Sequence, residues 1–349
     1  MDKIIPYICL YCKSILRDEE NKLVCVKCGN YWNINESVPC FIKESPYWGE
    51  LSQDEMKVFL KHAKEGYWRD AFDNILEDKK NEIVSYASDE TRGWWRYLLP
   101  GVNTGKVLDI GAGLGAITFS LANAGYEVVA IDSVLERATF LELRRKQDRV
   151  NNVQIACASA LDLPFPENSF DIIVMNGVLE WLGLSDTSVS PDKVQKKALN
   201  NIFRLLKPGG ILYLAIENRI SIIYFLGFKD PHSGLRFTTL MPRKIANFYS
   251  LLKKKTEYKT YIYSKFSYQK MLEETGFKDI RFFLPLPSYR NFKVIVPMGN
   301  KKIARYCLTQ AGSMKRLRLL RTLFYFSKIL PIGFLLDYFG PDYSIIARK

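Results

Sequence analysis

The sequence predicts an α/β fold: an open, mainly parallel sheet with helices on both faces, preceded by a small cysteine-bearing module and a helical segment. Three observations carry that expectation. A strand of buried character over 106–110 runs into a glycine-rich turn and a helical stretch ending near Asn123, and a second strand follows over 126–132. Apolar strands recur over 172–175 and 211–216. Four of the seven cysteines fall in two Cys-x-x-Cys pairs within the first 28 residues. At 349 residues the chain has room for about two domains. An apolar share of 48% with 25% charged residues excludes a disordered, collagen-like or disulfide-dense chain.

Taking the elements in order, Cys9-Leu-Tyr-Cys12 and Cys25-Val-Lys-Cys28 are separated by twelve residues. Two intervening residues let both thiolates of a pair point at one centre. Two such turns on neighbouring hairpins complete a tetrahedral four-sulfur zinc site, with Cys9, Cys12, Cys25 and Cys28 as ligands. Four thiolates leave no open position, so the expected zinc is structural. Gly29 follows the second pair, where a positive φ is often needed. A module this short, over residues 1–45, draws much of its folding energy from the metal. Cys40, in Val38-Pro39-Cys40-Phe41, lacks a partner at ligand spacing and reads as a small buried hydrophobe.

Residues 46–100 form an aromatic and charged cap with helical spacing over 51–63 and around 67–76. Trp48, Trp68, Trp94 and Trp95 lie here, four of the six tryptophans. Two readings stand: a platform for a substrate, or rings that pack the cap against the next domain.

From 101 to 349 the chain reads as one α/β domain. Gly111, Gly113 and Gly115 alternate in the turn after the first strand and let the backbone approach a ligand with no Cβ in the way. Asp132 ends the next strand, 21 residues beyond Gly111, where an acid accepts hydrogen bonds from both hydroxyls of a nucleoside ribose. Gly111-x-Gly113-x-x-Ala116 also satisfies the dinucleotide fingerprint. Against that reading, Asp109 sets a carboxylate at the strand tip, which repels a pyrophosphate and welcomes an ammonium.

Downstream, Leu163-Pro-Phe-Pro-Glu-Asn-Ser-Phe-Asp171 and Arg204-Leu-Leu-Lys-Pro-Gly-Gly210 each lead into an apolar strand. With Asp109-x-Gly-x-Gly-x-Gly115 and Asp132, they resemble the class I S-adenosylmethionine-dependent methyltransferases of the small-molecule type, over about residues 90–220. The resemblance implies a Rossmann-like sheet of seven strands and S-adenosylmethionine as cofactor. It places Asp109 and the Gly111–Gly115 turn on the methionine portion, Asp132 on the ribose, and Ser133 with Val134 beside the adenine. The loop 157–162, with Ser159 and Ala160, closes over the adenine edge, and Asn176 follows the fourth strand where the methyl group is presented. Ser159 stands where the family usually has an Asp on the adenine amino group, a weaker neutral acceptor. Residues 4–43 similarly resemble a Trm112-like zinc module found ahead of some methyltransferases, where it serves stability or docking.

An aliphatic hydroxyl acceptor needs a base near neutral pH. Of two histidines, His62 lies on the early helical segment and reads as a surface or packing residue. His232, in Lys229-Asp-Pro-His-Ser-Gly234, lies beyond the strand ending at Glu217 and is the expected general base, oriented by Asp230. Glu180 and Glu217 are the alternative bases. Two insertions are expected, over 218–268 and 290–340, the first aromatic and cationic.

The net charge is +13, and residues 301–349 alone hold ten Lys and Arg against two Asp, a net +8. The basic and apolar stretch 315–339 suits a peripheral membrane contact with anionic lipid. No run of 18 apolar residues occurs and the first residues do not read as a signal peptide, so a cytoplasmic chain, peripheral at the inner membrane face, is expected. Phrases around Asn176–Leu182, Glu217–Arg219 and Asp230–Gly234 are loosely similar to methyltransferases of surface-polysaccharide synthesis. The expected activity is therefore O-methylation of a glycan or lipid-linked saccharide. The alternatives are an RNA methyltransferase and an inactive methyltransferase-like binding subunit.

Overall fold

The structure is a computed structural model that describes residues 3–42, 47, 49–75, 77–99, 101–299, 302, 306 and 337–349. Four short strands, β1 (Leu16–Glu19), β2 (Lys22–Cys25), β3 (Tyr31–Asn35) and β4 (Val38–Pro39), form an antiparallel sheet in chain order. Its small core rests on Leu23, fully buried, and on Trp32, whose ring lies 5.7 Å from Phe41 and 6.1 Å from Tyr11. Gly29 has the left-handed φ of +73° expected of the second knuckle.

The module is fastened along another strand, β7 (Val153–Cys157). Phe41 N donates to Cys157 O at 2.8 Å, Ile8 N to Pro164 O at 2.9 Å, and the Gln154 amide exchanges two hydrogen bonds of 3.0 Å with the Ile5 backbone. Cys40 differs from expectation: it is only half-buried and bridges to Cys157, whose hydrogen bond lowers the Cys40 pKa to about 6.

The cap holds α1 (Gln53–Glu65) and α2 (Glu77–Ser88), each followed or preceded by a 3₁₀ turn, at Asp70–Asn74 and Glu90–Leu98. Helix α1 starts after Ser52 because that hydroxyl accepts from Glu55 N while the Glu55 carboxylate accepts from Ser52 N, a reciprocal capping box. Its buried face is Met56, Phe59, Leu60 and Ala63, at helical spacing. The helical spacing around 67–76 corresponds to a turn and one 3₁₀ segment rather than a helix. Trp68 and Trp95 are fully buried, which supports the packing reading for those two; Trp94 is 49% exposed, and Trp48 lies outside the described residues.

Next come β5 (Lys106–Ile110), α3 (Ala116–Asn123), β6 (Glu127–Asp132) and α4 (Leu135–Gln147), then β7. Strands β5, β6 and β7 pair parallel, and both intervening helices bury apolar faces against them. The chain continues through β8 (Phe170–Asn176), α5 (Pro191–Leu205), β9 (Leu206–Glu217), α6 (Ile222–Phe225), α7 (Arg243–Lys254), α8 (Lys265–Thr275), β10 (Lys278–Leu286), β11 (Val294–Pro297) and β12 (Asp342–Arg348). The sheet order is β11-β10-β12-β9-β8-β5-β6-β7.

Among the described residues the sheet has eight strands, against an expectation of seven, and it is mixed: β9–β12, β12–β10 and β10–β11 all pair antiparallel. The extra edge strand is β11, inside the expected 290–340 insertion. The last strand of the chain, β12 at Asp342–Arg348, follows that insertion. Most of the basic stretch 315–339 lies outside the described residues. No helix among the described residues is long and apolar enough to cross a membrane. The chain divides into two units, one of 1–174 with 204–210 and one of 175–203 with 211–349.

Candidate active site

In the first unit, β5 delivers the chain into the glycine turn and β6 delivers Asp132 beside it. Gly111, Gly113 and Gly115 all have positive φ, at +70°, +56° and +90°. Their duties differ. A Cβ at Gly113 would meet no atom within 4 Å, so that face of the turn is open. At Gly115 a Cβ would lie 2.6 Å from Leu141 Cδ2 and 2.8 Å from Phe119, so this glycine permits close helix packing rather than ligand approach.

Asp132 is buried and holds the turn in shape: Oδ2 accepts from Gly113 N at 2.9 Å and Oδ1 from Val134 N at 2.9 Å. Each oxygen keeps a second lone pair for a ribose hydroxyl. Asp109 is placed differently from the strand-tip reading. Its carboxylate is buried and accepts from Thr118 Oγ1 at 2.6 Å, tying the first turn of α3 to β5. Burial raises its pKa to about 6, against the opposing Thr118 hydrogen bond. Ser159 Oγ accepts from Leu161 N at 3.1 Å, Ala160 is buried, and Ala158 N donates to Asp132 O at 3.0 Å, which anchors the 157–162 loop to the end of β6.

In the second unit, Asn176 ends β8 with its Oδ1 buried and without a hydrogen-bond partner. Gly177 then turns at φ +70°, where a Cβ would sit 2.7 Å from the Tyr289 hydroxyl. The three predicted acid–base residues do meet here. Glu180 lies in the 3₁₀ turn Leu179–Leu184, Glu217 ends β9, and His232 comes from the loop after α6. His232 Nε2 is 3.7 Å from Glu180 Oε1 and 3.7 Å from Glu217 Oε2, and the side chains are 0%, 0% and 6% exposed for His232, Glu180 and Glu217.

Asp230 orients the imidazole as expected. Its Oδ1 faces His232 Nδ1 at 3.0 Å, while Ser233 Oγ donates to Oδ2 at 2.7 Å. Trp181 meets the His232 ring edge-on at 5.0 Å. Burial alone would depress the His232 pKa, but Glu217, Asp230 and Glu180 together raise it to about 10. The surrounding carboxylates thus favour the protonated form of the imidazole, which bears on its expected role as general base. Burial, and then Glu217, push the Glu180 carboxyl up. Tyr289 and Arg290 complete the surroundings, their hydroxyl and guanidinium lying 3.0 and 3.1 Å from Glu217 Oε1. No pattern marks these two in the sequence, because they follow β10 in a loop far along the chain. His62 is at the surface, 38% exposed.

Among the cysteines, Cys9 Sγ lies 3.5 Å from Cys28 Sγ, Cys12 Sγ 3.3 Å from Cys25 Sγ and 3.6 Å from Cys28 Sγ. These separations exceed an S–S bond and approach the edge of a tetrahedron with bonds of about 2.3 Å, so the donor set fits zinc.

The profile of a methyltransferase domain matches residues 108–214, from the glycine turn into β9. Over 218 residues the chain is 33% identical to the ubiquinone/menaquinone biosynthesis C-methyltransferase UbiE of Pasteurella multocida, covering 59% of this chain and 69% of that protein. The chain belongs to the class I S-adenosylmethionine-dependent methyltransferases.

The methyltransferase is also 32% identical over 149 residues to the demethylmenaquinone methyltransferase of Renibacterium salmoninarum, covering 41% of this chain and 56% of that protein. With UbiE of Yersinia enterocolitica it shares 33% identity over 181 residues, 49% of this chain and 64% of the relative. The match thus spans less than two thirds of those two relatives. Among solved structures it is similar to Haemonchus contortus phosphoethanolamine N-methyltransferase 2 in complex with S-adenosyl-L-methionine, at 19% identity and TM-score 0.43, covering 75% of this chain and 52% of that one. The YcgJ protein of Bacillus subtilis aligns at 17% identity and TM-score 0.42, covering 75% of this chain and 98% of that one.

The first unit's residues fit the cofactor on structural grounds. The turn is open at Gly113, and a buried acid with spare lone pairs stands at the end of β6. When bound, S-adenosylmethionine supplies a methyl group already activated on a sulfonium.

Proposed function

We propose that this methyltransferase O-methylates a hydroxyl on a glycan or lipid-linked saccharide. The observation that supports it is the buried Glu180 carboxylate, without a hydrogen-bond partner, beside His232 and Glu217. Phenols need little help to lose a proton, whereas a sugar hydroxyl needs a base held near neutral pH by burial. Glu180, whose pKa is raised by burial, takes that role in place of His232, with Glu217 as its partner. His232, positioned by Asp230, stands 3.7 Å from both.

In this reading the Gly111–Gly115 turn holds the methionine portion, with Asp109 acting through its charge and its bond to Thr118. Asp132 binds the ribose, and Ser133, Ser159 and Ala160 border the adenine. Asn176 assists where the methyl group is presented. Cys9, Cys12, Cys25 and Cys28 hold structural zinc in a Trm112-like ribbon. Exposed apolar residues in the 218–268 segment favour a lipid-bearing acceptor met at the cytoplasmic membrane face. Ile222, Phe225, Leu226 and Phe228 are 48–65% exposed, and Phe248 and Leu252 precede Lys253–Lys255.

A second reading, C-methylation of a hydroxylated quinone, is favoured by the names of the relatives. Both are tested by incubating the protein with methyl-labelled cofactor and, separately, lipid, polysaccharide, quinol and RNA fractions. Label in a saccharide-bearing lipid or polysaccharide is expected. Label only in quinol assigns the second reading, and label only in RNA overturns both. Glu180→Gln should lower turnover by about 100-fold or more while cofactor binding is retained.

A further inference from the structure

We propose that Glu180, Glu217 and His232 together hold a divalent transition-metal ion, of the manganese, iron or zinc type. Each residue offers one donor atom, and the three donors lie within 4.8 Å of one another in the second unit. Three separate features point to an ion rather than to a plain ion-pair network.

The first is that the inward-facing atoms are orphaned. Glu180 Oε1 and Oε2, Glu217 Oε2 and His232 Nε2 are buried without hydrogen-bond partners. The 3.7 Å separations from Nε2 to each carboxylate are too long for hydrogen bonds. They are the separation that two bonds of about 2.2 Å to a common ion make at an open tetrahedral angle.

The second is that the outward-facing atoms are occupied. His232 Nδ1 is engaged by Asp230 at 3.0 Å, which turns the Nε2 lone pair toward the carboxylates. Glu217 Oε1 accepts from Tyr289 and Arg290, which leaves Oε2 as the free donor. A carboxylate–imidazole pair and a hydrogen-bonded ligating carboxylate are how metal ligands are oriented.

The third is charge. Asp230, Glu180 and Glu217 bring three carboxylates to one imidazole, and the partly exposed Arg290 guanidinium pairs with Glu217 at 3.1 Å, on the oxygen that faces away from His232. Buried charge left unbalanced is costly, and a divalent cation balances it. The mixed imidazole and carboxylate donors favour a transition metal over calcium or magnesium.

Binding of the ion does not depend on which acceptor is methylated. Its use in activating an acceptor rests on the reading above: a hydroxyl bound to the ion loses its proton more readily, and the second Glu180 oxygen is free to receive it.

The test is titration with Mn²⁺ of full-length protein carrying one equivalent of zinc, enough for the four-cysteine cluster alone and freed of excess metal, followed by electron paramagnetic resonance and calorimetry. Mn²⁺ is chosen because it prefers oxygen and nitrogen donors and leaves thiolate sites to zinc. One Mn²⁺ per chain is expected, with affinity falling about 100-fold in Glu180→Gln and His232→Ala, and 10- to 100-fold in Asp230→Asn. Circular dichroism and thermal unfolding of each variant report whether the fold survives, and cofactor titration reports separately on Asp132 and the glycine turn, which lie in the other unit. No Mn²⁺ binding by the wild-type protein, or equal binding by folded variants, overturns the metal site. Loss of cofactor binding by the wild-type protein would instead overturn the methyltransferase reading of the glycine turn.

Discussion

Gly113 and Gly115 stand two residues apart in one turn, yet an added methyl group meets a different fate at each. At Gly113 the space is open and φ is +56°, so Gly113→Ala costs about 1–2 kcal/mol of backbone strain and fills the cofactor's approach. Calorimetry should show cofactor affinity falling at least tenfold with a modest loss of thermal stability. At Gly115 the new methyl strikes Leu141 and Phe119, so Gly115→Ala should lower the melting temperature more than any change at Gly113 does. The sequence shows only alternating glycines, and burial alone distinguishes a ligand-facing one from a packing one. Asp109 gives a pH prediction. Its folded pKa is raised from 3.8 to about 6, so the folded state binds the proton more readily than the unfolded chain. Stability contributed by this group therefore rises as pH falls from about 6 to 4, is constant below, and is absent above. Asp109→Asn should flatten that slope by on the order of 1–3 kcal/mol in denaturant titrations, and an unchanged pH profile would refute the assignment.

At the level of elements, legibility followed periodicity and capping. Helix α1 is legible because apolar residues recur at helical spacing at 56, 59, 60 and 63, and the structure adds the Ser52–Glu55 capping box ahead of them. Ser52→Ala should destabilise the protein by about 1 kcal/mol, measured by thermal unfolding. Helix α2 is illegible in the sequence because Glu77-Asp-Lys-Lys-Asn-Glu82 offers no apolar stripe; Ile83 and Ala87 are buried in the core and Val84 and Tyr86 pack against it. Strands β5, β6 and β8 were visible as apolar runs bounded by glycine or acid. The four-residue β11 carries no turn signature that separates it from a loop. The acid–histidine group was half legible. Its members could be listed from their places after strands, but their convergence, and the Tyr289 and Arg290 that hold Glu217, arise only when distant segments fold together.

For the whole molecule, the order of motifs announces the α/β architecture and the cofactor class, while the register that pairs β12 between β9 and β10 arises only when segments far apart in the chain fold together. The four-cysteine cluster is recognisable in the sequence, but the place of the module that carries it is not. It lies along β7, the last strand in the sheet order, whose outer hydrogen-bonding groups at Cys157 and whose Gln154 side chain are taken up by residues 5 and 41. Stripping zinc with a chelator, or Cys12→Ser, should therefore loosen the ribbon and lower the melting temperature of the whole first unit. A melting temperature indifferent to chelation would count against the metal. The consequence reaches past stability: Val153-Gln-Ile-Ala-Cys157, once bared, is an apolar template for strand addition by another chain. Demetallated protein should then clump in light scattering at temperatures where the loaded form stays dispersed, making the cysteine staple a safeguard of solubility.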